Sequence, residues 1–447
     1  MFILRDLLTP LQEQFSTTKQ GQKRKVWFVY TLLAIITPFT SSITSNLLRA
    51  LNTLFGMDLK SQRYYAFMAT STLPWRALWK TVWGLILSPA TCGRIMVALD
   101  DSINGKVGKY IFGCAYFHNH ASKGNQTSYP WSQCILAVGL LKQVKSRWVC
   151  MPLDFKFYMM QKLIDVNDAN CQRKGKTVTF ETKMAQAASM LQSIYGFFQI
   201  PVLIVCDSWF GNDGLWSLLE RGQNGNFHLL SRLRSNIILY DLVPIVPENQ
   251  TAPVGAPRKY GNRMGNTNEC AARYKGLAEN YRVFLYGKKR DVLAYSQVIM
   301  LKTLKCQIRV VWVYRKTRYV ALFTTDLSLS VEQIIEFYGA RWKIESGFKE
   351  IKQEIGSAKT QTRNSESVIN HLNFCMMATT ITWIYADRLQ QTPERKYKIR
   401  GRASFAFSDV RKIISEAALN PNFKRLCPVT SKAPDNSFVK VLLRMVA

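Results

Sequence analysis

Tyr338, Arg341, Glu345 and Lys352 sit at offsets of 0, 3, 7 and 14 in the run YGARWKIESGFKEIK. On a helix turning about 100° per residue, all four fall within an arc of about 60°. One helix edge would then present a carboxylate, two cations and a phenol. Phe337, Ile344, Phe348, Ile351 and Ile355 form an apolar stripe beside it. Further acids follow short apolar runs: Asp100-Asp101 after Ile95 to Leu99, and Asp207 after Val202 to Cys206. Carboxylates from two strands and a helix are a donor set suited to Mg²⁺, which takes carboxylate oxygens and water rather than thiolate or imidazole. Two such ions about 3.5–4 Å apart serve phosphodiester chemistry, one activating the attacking oxygen and the other stabilising the leaving one. Asp101, Asp207 and Glu345, separated by 106 and 138 residues, would supply that set. Each residue alone has an ordinary alternative. An aspartate after a short strand opens a turn, and a charge cluster on a helix is a solvated face. Pleat alternation sends Asp100 and Asp101 to opposite faces, so both remain candidates on spacing alone.

The elements that must position these residues are legible to different degrees. Ser330-Val331-Glu332-Gln333 has a capping-box pattern, and Gly356 is a stop signal, so one helix is expected to carry the whole run from Tyr338 to Lys352. Ile95 to Leu99 and Val202 to Cys206 read as buried strands ending on acids, where open α/β sheets place their chemistry. Lys109 to Phe117, Trp131 to Val144 and Phe227 to Leu233 read as further strands, and Glu181 to Tyr195 as a helix. Residues 1 to about 90 show helical spacing, with aromatic and basic residues interleaved at 63–67 and 75–80. That segment fits a small DNA-binding domain or a helical lid on the main core. Strand patterns recur at 283–286, 294–302, 308–314 and 319–324, after a Pro-, Gly-, Asn- and Arg-rich stretch from Glu248 to Gly276 that reads as a mobile or DNA-facing loop. A long helix is expected over Glu366 to Leu389, then a basic, partly helical tail.

The 447 residues carry 60 Lys and Arg against 29 Asp and Glu, a formal charge of +31. So large an excess repels itself in a compact chain and points to a polyanionic partner. Nucleic acid is the first candidate. A membrane surface is a distant one, because no basic amphipathic anchor stands out, and Val26 to Ile36 is too short to span a bilayer and reads as a buried helix. Ten cysteines at irregular spacing, with no CxxC, match neither a zinc site nor a disulfide framework. They point to a reducing cytoplasm, with Cys114, Cys134 and Cys206 as core packing. His118 and His120 lack a third ligand at a useful spacing. Gly105-Lys106-Val107-Gly108 is too sparse for a phosphate loop and reads as a turn.

The Y-x2-R-x3-E-x6-K spacing of Tyr338, Arg341, Glu345 and Lys352 resembles the signature of DDE transposases of bacterial insertion sequences, in the insertion-sequence-four-like group. Val97 to Ser102 resembles that family's first-aspartate strand and Val205 to Ser208 its second. The resemblance covers roughly residues 90 to 380 and favours Asp101 over Asp100. It implies an α/β fold with a ribonuclease-H-like mixed-sheet core at 91–234 and 327–389. A β-rich insertion at 235–326 would precede the catalytic glutamate. A helical DNA-binding segment at 1–90 and a basic segment at 390–447 would complete the chain. It further implies that Asp101, Asp207 and Glu345 are catalytic and bind two Mg²⁺ ions, with Mn²⁺ as a substitute. Arg341, Lys352 and Tyr338 would hold DNA at the transposon end, and Tyr319 would stack on an unpaired terminal base. The implied activity is cut-and-paste transposition on double-stranded DNA, at terminal inverted repeats and target. The protein would act as a homodimer in a bacterial, nucleoid-associated cytoplasmic setting. A ribonuclease-H-like nuclease that cuts without joining, and a domesticated DNA-binding protein without catalysis, are the alternatives.

Overall fold

A computed structural model describes residues 2–119, 122, 124–243, 258–397 and 404–420. The chain folds as two compact units. The first comprises Met1–Pro89, Asp101–Lys183 and Glu345–Ala447, and the second Ala90–Asp100 and Met184–Ile344. Elements are numbered in chain order. The chain opens with five helices, α1 (Phe2–Gln12), α2 (Lys19–Ile36), α3 (Thr44–Phe55), α4 (Ser61–Met68) and α5 (Trp75–Gly84). Strands β1 (Ile95–Gly105), β2 (Cys114–Tyr116), β3 (Trp131–Val144) and β4 (Arg147–Tyr158) follow, with the short helix α6 (Gln161–Asp165) after them. Next come α7 (Lys183–Phe198), β5 (Val202–Cys206), α8 (Asp213–Trp216), β6 (Phe227–Arg232), β7 (Ile238–Tyr240), β8 (Arg263–Asn266) and α9 (Thr267–Tyr274). The meander β9 (Glu279–Leu285), β10 (Lys288–Leu301), β11 (Cys306–Arg315) and β12 (Arg318–Thr324) precedes α10 (Val331–Ala340) and α11 (Lys343–Lys349). The helices α12 (Ser365–Arg388) and α13 (Phe407–Ala418) close the described chain.

The first unit is organised around α12. Its sequence is apolar on every side, as expected of a helix buried all round, and it is covered by α1, α2, α4, α5, α13 and β4. Two of its asparagines are met from α5. Trp75 Nε1 donates to Asn370 Oδ1 at 2.6 Å and Trp79 Nε1 to Asn373 Oδ1 at 2.8 Å. Asn370 donates onward to the Met68 and Thr70 carbonyls. Such buried pairs fix a helix in one rotation, because sliding it would orphan them. Two of the interleaved tryptophans thus serve as core anchors. Arg411 of α13 is buried and donates to the carbonyls of Ile35, Ile36 and Thr37, closing the C-terminus of α2. As expected, Val26 to Ile36 forms most of a helix, and Phe28 to Ile36 is buried. No described helix is long and apolar enough to cross a membrane. In the same unit β3 pairs antiparallel with β2 and with β4.

In the second unit the start of β1 runs parallel to β5, in register from Ile95↔Val202 to Leu99↔Cys206, and β5 runs parallel to β6. These strands are continuous apolar runs because both faces are covered. β12 then joins β6 antiparallel, and β11, β10 and β9 follow as an antiparallel meander, so these four strands continue the sheet of β5 and β6. Helix α10 packs on β5, β6, β9 and β12. The four expected strands of this region are all present. Lys109 to Phe117 gives only the short β2, and β4 was not expected. The expected loop from Glu248 to Gly276 contains β8 and α9 where it is described; its part through residue 257 lies outside the described residues. His120 and most of the basic run at 395–402 lie outside them too.

Candidate functional site

The helix expected to carry Tyr338, Arg341, Glu345 and Lys352 begins and ends as read. Ser330 and Gln333 form the capping box, and Gly356 adopts φ +86°. All five residues of the apolar stripe are buried. The helix is not continuous, however. The Arg341 N–H bonds the Tyr338 carbonyl at 3.2 Å and the Ile344 N–H bonds the Arg341 carbonyl at 3.0 Å. These are three-residue spacings that tighten the chain and break it between α10 and α11. Residues Glu350–Glu354 then widen into a π turn. The one continuous helix on which the 60° arc rests is therefore absent: Tyr338 lies in the last turn of α10, Glu345 in the first turn of α11 and Lys352 on the π turn.

β1 also departs from expectation. It continues through Asp100 and Asp101 to Gly105, so both acids lie within a strand rather than at its end. The boundary between the two units falls between them, and each acid has its own cation. In the second unit Arg341 Nη1 lies 3.3 Å from Asp100 Oδ2, with the guanidinium 5.8 Å from the Tyr338 ring centre and 5.6 Å from that of Trp342. Arg341 is only 8% exposed, and Tyr338 is half-buried, with its phenol pKa raised by burial. Asp207 follows β5 directly. Its Oδ1 accepts the Trp209 and Phe210 backbone N–H groups at 3.0 and 3.1 Å, and its carbonyl accepts the Ser231 hydroxyl at 2.8 Å. That turn holds the carboxylate in one orientation. Oδ2 takes no hydrogen bond from the described residues. Exposed Trp209 follows it, and Trp342 follows Arg341. Tyr319 lies half-buried on β12, opposite Tyr314, with its pKa raised by burial.

In the first unit Lys183, the first residue of α7, pairs with Asp101 Oδ2 at 2.8 Å, and the Cys134 thiol lies 3.5 Å from the same oxygen. Burial alone would lower the Lys183 pKa; Cys134 and Asp101 outweigh it and hold the ammonium above the usual lysine value. Its charge also lies 5.1 Å from the Tyr158 ring centre. Lys352 donates to Ser102 Oγ at 2.6 Å and to the Ile103 carbonyl at 2.7 Å. Burial lowers its pKa to about 8. This lysine fastens the strand next to Asp101, a role its expected place on a helix surface did not suggest. Glu345 is exposed at the start of α11. Lys106, in the stretch dismissed as a phosphate loop, is buried with its ammonium on the Ala358 and Thr360 carbonyls.

Lys183 as the partner of Asp101, and Arg341 as that of Asp100, were missed from the sequence. No local pattern joins residues 82 or 241 positions apart. Asp101, Asp207 and Glu345 offer hard oxygen donors of the kind Mg²⁺ takes, and the unbonded Oδ2 of Asp207 fits that use. Among the described residues, no group of three or more His, Cys, Asp or Glu side chains is gathered to hold a metal ion.

Two comparisons with known families bear on this arrangement. The profile of DDE superfamily endonucleases matches residues 10–283. The profile of an archaeal transposase of the ISC1217 type matches residues 288–381, which include Tyr338, Arg341, Glu345 and Lys352. No curated protein matches the chain.

Proposed function

We propose that this chain, which belongs to the DDE superfamily of endonucleases, is a cut-and-paste transposase. The mixed α/β fold is ribonuclease-H-like, membership implies a nuclease or transposase, and DNA is the substrate this reading calls for. The finer reading is that it cleaves at transposon ends and joins the freed ends to target DNA, in the manner of the insertion-sequence-four-like group. The observation that carries it is the β1–β5 register. Leu99 pairs with Cys206 on parallel strands, so Asp100 within β1 and Asp207 just after β5 follow at one level. The transposase match around Glu345 adds support.

Asp101, Asp207 and Glu345 would hold Mg²⁺ or Mn²⁺, which supplies Lewis-acid charge to the attacking and leaving oxygens of a phosphodiester. The chain's own residues do the rest. The turn at Trp209 and Phe210 orients Asp207. Lys352, through Ser102 and Ile103, holds β1 beside Asp101. Arg341 neutralises Asp100, and Tyr338, Arg341 and Tyr319 would contact DNA near the transposon end. In the first step a water oxygen bonds to phosphorus and the 3′-oxygen leaves with a proton. In the second that 3′-hydroxyl attacks a target phosphodiester, whose own 3′-oxygen leaves. No covalent bond to the protein forms, and a homodimer would pair two ends. Glu345→Gln should abolish both steps in an assay with duplexes carrying the element's ends. Retained cleavage would refute the role of Glu345. Cleavage by the unsubstituted protein, without joining of pre-cut ends, would leave a nuclease.

A further inference from the structure

The first unit contains a cleft of about 560 Å³ between α5, the start of α12 and the turn at 173–176. Its walls carry Arg76 and Lys80 of α5, Arg173 and Lys176 of the turn, and Glu366 in the first turn of α12. These charges are arranged rather than scattered. Glu366 is only 6% exposed, and its Oε1 accepts both Nε and Nη2 of Arg173 at 2.9 and 2.7 Å. Lys176 Nζ lies 3.8 Å from its Oε2. The Lys176 N–H bonds the Arg173 carbonyl at 3.3 Å, and Gly175 at φ +68° closes the turn. Both cations are thereby brought to one carboxylate. Arg76 and Lys80 stand one helical turn apart, on one face of α5. Both are exposed, and neither makes a hydrogen bond or ion pair with a described residue. One carboxylate thus faces four cations, and it is already engaged by two of them.

We infer that this cleft is a second contact for duplex DNA, gripping backbone phosphates without reading sequence. Spread cations suit successive phosphates of a polyanion better than one small anion, and backbone contacts position a duplex without specifying it. The chain's charge of +31 favours the same partner. The inference rests on the reading of the protein as one that acts on DNA, and adds a contact to it apart from the three acids.

The test is fluorescence anisotropy of the full chain with a labelled duplex of arbitrary sequence, in EDTA, over a KCl series. Arg76→Gln with Lys80→Gln should make the slope of log affinity on log salt shallower by about 2, at about 0.9 per phosphate contact. Lys176→Gln, at an exposed turn, should make it shallower by about 1. Slopes equal to that of the unsubstituted protein would overturn the inference while leaving the transposase reading intact. So would an equal change from Lys305→Gln with Lys316→Gln, which removes the same charge from exposed positions elsewhere. Absence of duplex binding by the unsubstituted protein would remove both readings.

Discussion

Removing the cation that faces Asp101 separates the metal reading from a purely structural one. Lys183→Met keeps an unbranched side chain beside Tyr158 and deletes only the charge 2.8 Å from Asp101 Oδ2. The two side chains are 21% and 28% exposed, so the pair is screened but not a free surface pair. A hydrogen bond to a charged group contributes about 1.5–3 kcal/mol net, and the exposed part of the pair argues for the lower end. In EDTA the variant should therefore lose about 1.5 kcal/mol of stability, read as a shift in the urea midpoint. If Asp101 is a metal ligand, Lys183 competes with the ion for the same oxygen. Its removal should then tighten Mg²⁺ binding, measured by calorimetry, by up to about tenfold, since 1.4 kcal/mol is a factor of ten. The stability difference should also narrow in saturating Mg²⁺, because a bound ion stabilises the folded state by mass action. A variant as destabilised in Mg²⁺ as in EDTA, with unchanged Mg²⁺ affinity, would show that Asp101 and Lys183 are a structural ion pair.

Asp101→Asn should lower metal-dependent nicking by about a thousandfold, the scale of losing a charge-stabilising group, whereas Asp100→Asn should chiefly cost stability through its bond to Arg341. Full nicking activity in Asp101→Asn would move the ligand role to Asp100. Asp154→Asn should steepen acid unfolding, because buried His371 and half-buried Asp154 of the first unit titrate in opposition. His371, whose Nε2–H donates to the Ser42 carbonyl, has its pKa lowered to about 4 by burial, so its contribution to stability is lost as pH falls from about 6.5 to 4. Burial raises Asp154 to about 6, so protonation there adds stability as pH falls from about 6 to 4; each effect amounts to roughly 3 kcal/mol. Urea midpoints of the variant and the unsubstituted protein that fall in parallel between pH 7 and pH 4.5 would refute this balance.

What could be read from the chain, and what could not, follows from where the determining partners lie. β5 was legible because five apolar residues bounded by turn formers leave no other buried solution, and α12 because a long apolar run without breakers must be a core helix. The capping box at Ser330 was legible because both of its hydrogen bonds close within three residues. β4 was hidden because its hairpin turns through Lys145 and Ser146, both at positive φ, where Asn-Gly would have signalled the turn. The continuation of β1 was hidden for a different reason. Asp100, Asp101 and Ser102 read as a strand's polar end, since an unpaired carboxylate inside a sheet is costly. They remain in the strand because Arg341, Lys183 and Lys352 reach them from 241, 82 and 250 residues away. Arg341 and Lys352, which the resemblance assigns to DNA, are thus already engaged in holding the polar half of β1. If the acids do bind metal, Lys183 and Arg341 are what holds the carboxylates in place while no ion is bound. Arg341 and Lys352 then cannot be tested as DNA contacts alone. Their substitution loosens the strand that carries the acids, and only a readout of β1 itself, such as amide exchange at Ser102 and Ile103, separates the two effects.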